Sequence, residues 1–206
     1  MLQRVWDQLQ EAGIAGNAVI TAGGEQVELI KSQVQDAKIA VEPGRRDTFA
    51  AVLVSCPWLH SCGGASAEDY AAIMPVDPYT ESAYFETVKK LEQVMKVSGA
   101  EVGLMGAAPS YPATKYGYIL PGEKKEGWME VRGFAEKPDE EQAEKLMEQG
   151  ALWNCGVFCV RIGDILERAK KYGVPEDYQG LCASYEKLPK ISFDYEVLEK
   201  AEHLAA

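Results

Sequence analysis

Tyr70-Ala71-Ala72-Ile73-Met74-Pro75-Val76-Asp77-Pro78-Tyr79-Thr80-Glu81 is the stretch on which the reading of this chain turns. Its short apolar run suits a strand buried on both faces, and the run stops at a proline followed closely by an acid. Asp77 thus stands at the carboxyl end of a strand. In open α/β sheets that edge is where ligands bind, which gives a lone acid there a functional meaning. Asp and Pro are equally ordinary residues of a turn into the next helix, and at this point both readings stay open.

Downstream, Thr80 is placed to cap a helix whose Tyr84, Val88, Leu91 and Met95 share one face, and residues 100–107 read as the next strand. Upstream, Leu2, Val5, Leu9 and Ala12 recur at helical spacing as far as Gly13. A short strand at 17–21, a helix at 23–35 and a strand at 37–41 follow, and then Asp47 or Thr48 caps an apolar helix reaching about Ser61. Strand and helix alternate, the rhythm of a helix-covered parallel sheet built from βαβ units. Beyond the strand at 100–107 the pattern changes. Residues 116–120 and 128–135 read as strands around a turn at 121–127, an antiparallel excursion. Asp139 with Gln142 forms a capping box for a helix ending at Gly150. A strand at 151–161, a helix at 164–172 and a last helix capped by Ser192 and running through Ala201 complete an α/β chain with a mixed sheet, read as one domain over residues 1–206.

A net charge of −11 argues against non-specific nucleic-acid binding, which relies on basic side chains neutralising phosphates. No apolar run approaches the ~20 residues of a membrane span, and Met1-Leu2-Gln3-Arg4-Val5-Trp6-Asp7 lacks the apolar core of a signal peptide, so a cytoplasmic address is expected. The five cysteines contain no Cys-x-x-Cys pair, and Cys155 and Cys159 in one strand would lie ~13 Å apart, beyond the ~7 Å reach of a disulfide. All five are expected as thiols. With only His60 and His203, read as structural, a histidine metal site or a Ser/His triad is not expected.

Four further places carry chemistry. Arg45 and Arg46 follow a strand beside a helix N-terminus, which suits an anion. Lys115-Tyr116-Gly117-Tyr118 sets a glycine where a backbone can approach a ligand. Glu136-Lys137-Pro138 offers an acceptor and a cation at a strand's end, and Trp153-Asn154-Cys155-Gly156 an amide and a glycine within a strand. Taken singly, a Glu-Lys pair is more often a solvated face and a strand glycine more often a bulge.

The succession Glu42-Pro43 to Arg46-Asp47-Thr48, Pro75-Val76-Asp77, Tyr116-Gly117-Tyr118-Ile119, Phe134-Ala135-Glu136-Lys137-Pro138, Leu152-Trp153-Asn154-Cys155-Gly156-Val157-Phe158 and Ile191-Ser192-Phe193-Asp194-Tyr195-Glu196-Val197-Leu198 resembles the sugar-nucleotide pyrophosphorylases. It is most similar to their mannose-1-phosphate guanylyltransferase branch. The resemblance implies a Rossmann-like, glycosyltransferase A-like nucleotidyltransferase fold with a central mixed, mostly parallel sheet covered by helices. It implies an enzyme that joins GTP to mannose 1-phosphate and releases pyrophosphate and GDP-mannose, with Mg²⁺ as cofactor and a homodimer as a possible assembly. Position by position, it assigns Asp77 and Asp194 to a shared Mg²⁺, Asp77 and Lys137 to catalysis, and Gly117, Glu136 and Asn154 to the sugar. Lys137 would also meet the sugar phosphate, and Arg46 and Thr48 would lie near the guanine. Glu136 and Lys137 are adjacent, so both can serve one ligand only where the strand end is irregular.

The chain also departs from the family. Asp47 stands where relatives commonly have Asn, and Pro78 where many have His. The Gly-rich triphosphate loop and its strand would precede Met1, and relatives continue past Ala206, so a domain truncated at both ends and inactive alone is expected. Two rivals remain: a non-catalytic sugar-phosphate-binding or interaction protein of the same fold, and a pyrophosphorylase for another sugar or base.

Overall fold

The spacing of Leu2, Val5, Trp6 and Leu9 winds the start of the chain into α1 (Leu2–Glu11) in a computed structural model that describes residues 1–206. Contacts divide the chain, read from sequence as one domain, into two compact units. The first comprises Met1–Ala71, Pro75–Glu86 and Arg161–Phe193, and the second Ala72–Met74, Thr87–Val160 and Asp194–Ala206.

In the first unit β1 (Ile20–Gly23) runs parallel to β2 (Ile39–Glu42), with Ile20 opposite Ile39 and Gly23 opposite Glu42. The crossover between them is α2 (Val27–Gln33). Ile20, Ala22 and Ile30 form a small core that Leu2, Trp6, Ala37 and Ile39 cover, so the apolar stripe of α1 has a definite seat. α3 (Asp47–Ser61) buries Phe49, Ala50, Val52, Leu53, Val54 and Cys56, the mark of a helix enclosed on most sides. α6 (Ile162–Lys171) and α7 (Tyr178–Ala183) pack on it, and the ring of Phe49 meets that of Tyr172 edge-on at 5.5 Å.

The second unit is built on a six-stranded sheet, which the end of β3 (Tyr70–Ile73) enters at one edge. The other strands are β4 (Val102–Ala107), β5 (Tyr118–Lys125), β6 (Trp128–Ala135), β7 (Leu152–Arg161) and β8 (Leu204–Ala205), in the order β3-β7-β4-β8-β6-β5. β5 also pairs with β7 through Tyr118–Trp153 and Ile119–Leu152, so five strands close on themselves. Beyond Thr87, α4 (Ser82–Ser98) buries Val88, Leu91, Val94 and Met95. α5 (Glu140–Glu148) sets Ala143, Leu146 and Met147 against Tyr118 and Trp153.

The sheet is mixed, as expected: β4–β8 is parallel, as is β1–β2 in the first unit. Antiparallel pairing is more extensive than the alternation of strand and helix suggests, covering β4–β7, β5–β6, β5–β7 and β6–β8. The reason is local. β5 and β6 are joined by Glu126 and Gly127 alone, and so short a link permits only an antiparallel pair.

Several boundaries differ from the sequence reading. The turn expected at 121–127 shrinks to two residues, because β5 continues through Pro121 where its register with β6 slips. The strand expected at 17–21 begins at Ile20, since Ala15–Asn17 makes a 3₁₀ turn. The last helix breaks into α8 (Phe193–Glu196) and a 3₁₀ turn at Leu198–Lys200. Asp139 caps α5 as expected, its Oδ1 accepting from Gln142 N at 2.8 Å. Thr80 does not cap α4: the helix starts at Ser82, and the Thr80 hydroxyl is buried with no partner in the chain. All five cysteines are free thiols. No helix is long and apolar enough to cross a membrane.

Candidate functional site

β6 ends at Ala135, and two residues later Lys137 takes a φ of +46°, left-handed backbone that is uncommon outside glycine. This is the irregular strand end that two adjacent site residues require. It turns Lys137 back on its neighbour, so that Lys137 Nζ pairs with Glu136 Oε1 at 2.7 Å. The Glu136 side chain is only 5% exposed, whereas that of Lys137 is 52% exposed, a buried acceptor beside an accessible cation. The pairing holds the Lys137 ammonium above its ordinary pKa.

Gly117 precedes β5 and faces this pair. A Cβ built on it would lie 2.7 Å from Glu136 Oε2, 2.7 Å from Phe134 Cζ and 3.4 Å from Asn154 Cβ, so any side chain at 117 would displace the carboxylate or the ring. The Gly117 carbonyl accepts from Asn154 N at 2.8 Å, extending the β5–β7 ladder by one bond. On the other side of that junction Trp153 Nε1 donates to Tyr118 Oη at 3.1 Å, and Tyr118 Oη donates to the Ala113 carbonyl at 3.0 Å. Tyr111 and Tyr116 meet the Trp153 ring edge-on, so aromatic packing fixes the residues flanking Gly117 and Asn154.

Asn154 begins a bulge. Leu104 faces Phe158 while Gly106 faces Asn154, so residues 155–157 stand against Met105 alone, with Gly156 at φ +67°. The bulge turns the Asn154 side chain into a connector: Oδ1 accepts from Gly156 N at 3.0 Å, and Nδ2 donates to Asp194 Oδ1 at 2.8 Å. One N–H and one lone pair of the amide remain for a ligand. The Asp194 carboxyl is held above its ordinary pKa by burial first and by the Glu136 charge second. Its own backbone N–H, Lys137 and the Asn154 amide oppose that shift.

The second unit therefore gathers Gly117, Glu136, Lys137, Asn154 and Asp194 into one cluster, two carboxylates, an amide and a cation over a bare stretch of backbone. Such a set can recognise hydroxyls and an anionic group together. Phe134, which sequence reading passed over, shapes it too, and the alternation of 134 with 136 on one strand face was the available signal.

The remaining expected residues belong to the first unit. Asp77 lies beyond β3 in an irregular, exposed segment. Arg46 Nη1 donates to the Leu188 carbonyl at 2.7 Å, and Thr48 Oγ1 accepts from Phe193 N at 2.8 Å. Phe49 N donates to the Ile191 carbonyl at 3.3 Å. The start of α3 thus binds residues 188–193, the segment that leads to Asp194. No group of three or more His, Cys, Asp or Glu is assembled for a metal. Asp77 and Asp194 offer oxygen donors only, the kind a hard cation takes, and one or two carboxylates suffice where phosphates and water complete the shell.

Residues 1–179 match the nucleotidyl transferase family. Over its whole length the chain is 27% identical to a mannose-1-phosphate guanylyltransferase of Sinorhizobium fredii, and over 86% of it 28% identical to the alginate biosynthesis protein AlgA of Pseudomonas syringae. It spans 44% and 40% of those relatives, less than half of either. Among solved structures, one described as a mannose-1-phosphate geranyltransferase from Thermus thermophilus superposes over 99% of this chain and 62% of its own, with a TM-score of 0.82 and 28% identity. The α/β fold, the ordered motifs and the matched residues lead to one conclusion: the chain belongs to the nucleotidyl transferase family.

Proposed function

We propose that the chain carries a nucleotidyltransferase domain for the reaction of GTP with mannose 1-phosphate, giving GDP-mannose and pyrophosphate in a cytoplasmic setting. The cluster of Gly117, Glu136, Lys137, Asn154 and Asp194 carries this reading, and the names of the relatives support the choice of sugar. In the reaction a phosphate oxygen of the sugar bonds to the α-phosphorus of GTP, and the bond from that phosphorus to pyrophosphate breaks. Glu136, buried and paired with Lys137, accepts from sugar hydroxyls while Gly117 lets the ring approach the backbone. Lys137 stays protonated and meets the sugar phosphate, orienting its oxygen. Asp77 and Asp194 would each offer a carboxylate to Mg²⁺, which when bound offsets the charge of the phosphates. Asn154 fixes the carboxylate of Asp194 and offers its free N–H to the sugar. Arg46 and Thr48, engaged with Leu188 and Phe193, are better read as holding that segment than as guanine contacts.

An NMR titration of the 206-residue chain with mannose 1-phosphate tests the reading. Weak binding is expected, with Kd ~1 mM or about −4 kcal/mol, since a small polar ligand offers little apolar area. Shifts centred on Gly117 and Asn154 should vanish in Glu136→Ala and Lys137→Ala. Shifts elsewhere, or none at ~10 mM ligand, would remove the sugar-phosphate assignment. With GTP and Mg²⁺ added, pyrophosphate release by these 206 residues reads the triphosphate side of the reaction separately from sugar-phosphate binding.

A further inference from the structure

The packing that seats Leu2 and Trp6 leaves the polar side of α1 to another task. Arg4, Gln8 and Glu11 recur four and three residues apart, which puts them on one stripe of the helix. All three reach the segment that follows Asp77. Arg4 Nη2 donates to the Thr80 carbonyl at 2.7 Å, and its guanidinium carbon lies 3.9 Å from the centre of the Tyr79 ring. Gln8 Nε2 donates to the same carbonyl at 2.9 Å, and Ser82 Oγ donates to Glu11 Oε2 at 3.3 Å. The contact is close enough that Gln8 Oε1 and Thr80 Oγ1 are sealed from solvent without partners in the chain.

Residues 74–81 have neither helix nor strand of their own. They do have Pro75 and Pro78 on either side of Val76 and Asp77, and each proline fixes its own φ and restricts the residue before it. The prolines narrow the backbone on both sides of Asp77, and the anchored carbonyl of Thr80 lies only three residues beyond it. Holding Thr80 therefore limits where Asp77 stands.

We infer that Arg4 and Gln8 are positioning residues for the Asp77 segment, clamping its far end through the Thr80 carbonyl so that the acid is presented in one place. The role of that acid as a cation ligand rests on the function proposed above; the clamp itself rests on the contacts of α1.

Backbone ¹⁵N relaxation of the 206-residue chain, read as order parameters at Val76, Asp77, Tyr79 and Thr80, tests the clamp. Arg4→Met keeps the stem and loses the donors and the stacked cation, and Gln8→Ala loses the second donor should Arg4→Met fold poorly. Either variant should lower the order parameters over 76–80 from about 0.85 toward about 0.6, with those of residues 49–57 in α3 unchanged. Arg4→Lys should restore part of the order. Unchanged order parameters over 76–80 in both variants overturn the inference. Mn²⁺ binding, followed by electron paramagnetic resonance, separates the two readings. Weakening by ~10-fold in Arg4→Met and loss in Asp77→Asn support both. A loosened segment with Mn²⁺ binding the same in every variant, Asp77→Asn included, upholds the clamp and removes the metal role of Asp77.

Discussion

Gly117→Ala perturbs the candidate site by a single methyl group. The added carbon would meet Glu136 Oε2 and Phe134 Cζ at 2.7 Å each, about 1 Å inside normal contact, and Asn154 Cβ at 3.4 Å. Inserting a methyl into a filled space commonly costs about 1–3 kcal/mol. Here the Glu136 carboxylate is the far end of a side chain and yields before the backbone does, so the stability loss should fall near ~1 kcal/mol. For a chain of this length that is a fall in Tm of roughly 2–4 °C. The same displacement carries the carboxylate away from its Lys137 partner and from the ligand. Affinity for mannose 1-phosphate should therefore drop about 10-fold, the equivalent of ~1.4 kcal/mol. Gly16→Ala is the control, with nothing within 4 Å of its added carbon, and should stay within ~0.5 kcal/mol of the parent. Thermal denaturation and NMR titration of the three proteins give both quantities. A Gly117→Ala chain that melts with the parent and binds as tightly would show that Glu136 and Phe134 do not crowd Gly117, refuting the geometry on which the proposed sugar site is built.

Two further outcomes follow from the same contacts. Thr48→Val leaves the Phe193 N–H without its acceptor and should destabilise the chain by about 1–3 kcal/mol in urea denaturation, whereas an unchanged midpoint would mean that residues 188–193 do not depend on α3. Asp194 is held above its ordinary pKa chiefly by burial, so the folded chain keeps this proton to higher pH than the unfolded chain does. Its contribution to stability consequently falls as pH rises from the ordinary carboxylate pKa through the folded value. In chelator, Asp194→Asn should melt higher than the parent at pH 7 and level with it near pH ~3, and a variant that melts lower at pH 7 would contradict the assigned cause.

Much of the fold was legible where a local pattern and the tertiary outcome agree. The Asp139–Gln142 pairing gave the start of α5, and the apolar run ending at Pro75 gave β3, though not its burial on both faces: β3 is an edge strand in which Ala71 is buried and Ala72 exposed. Pro121 and Gly122 misled because turn chemistry is a local preference, and the β5–β6 pairing absorbed it as a slip in register. Thr80 misled more instructively. Its side chain suits a helix cap, yet its carbonyl is what α1 grips, and no sequence pattern reports which backbone group a distant helix will reach. In the site, the family resemblance grouped Gly117, Glu136, Lys137 and Asn154 on one ligand, whereas the contact of Asn154 with Asp194 emerges only from the bulge at Asn154, which no sequence pattern reports. Arg46 and Thr48 were read for their chemistry, but a sequence carries no sign of the direction in which a side chain points.

The left-handed backbone at Lys137 has a consequence for how this position can change over time. A lysine held at φ +46° costs about 1 kcal/mol that glycine would not, so any drift toward greater stability favours Lys137→Gly. That replacement relaxes the chain and deletes the one cation beside Glu136. On the proposed function, selection for folding and selection for an anionic ligand act on the same codon in opposite directions. A lineage that stops using the anion should lose the lysine early, with glycine or asparagine in its place, while the buried glutamate next to it persists for longer.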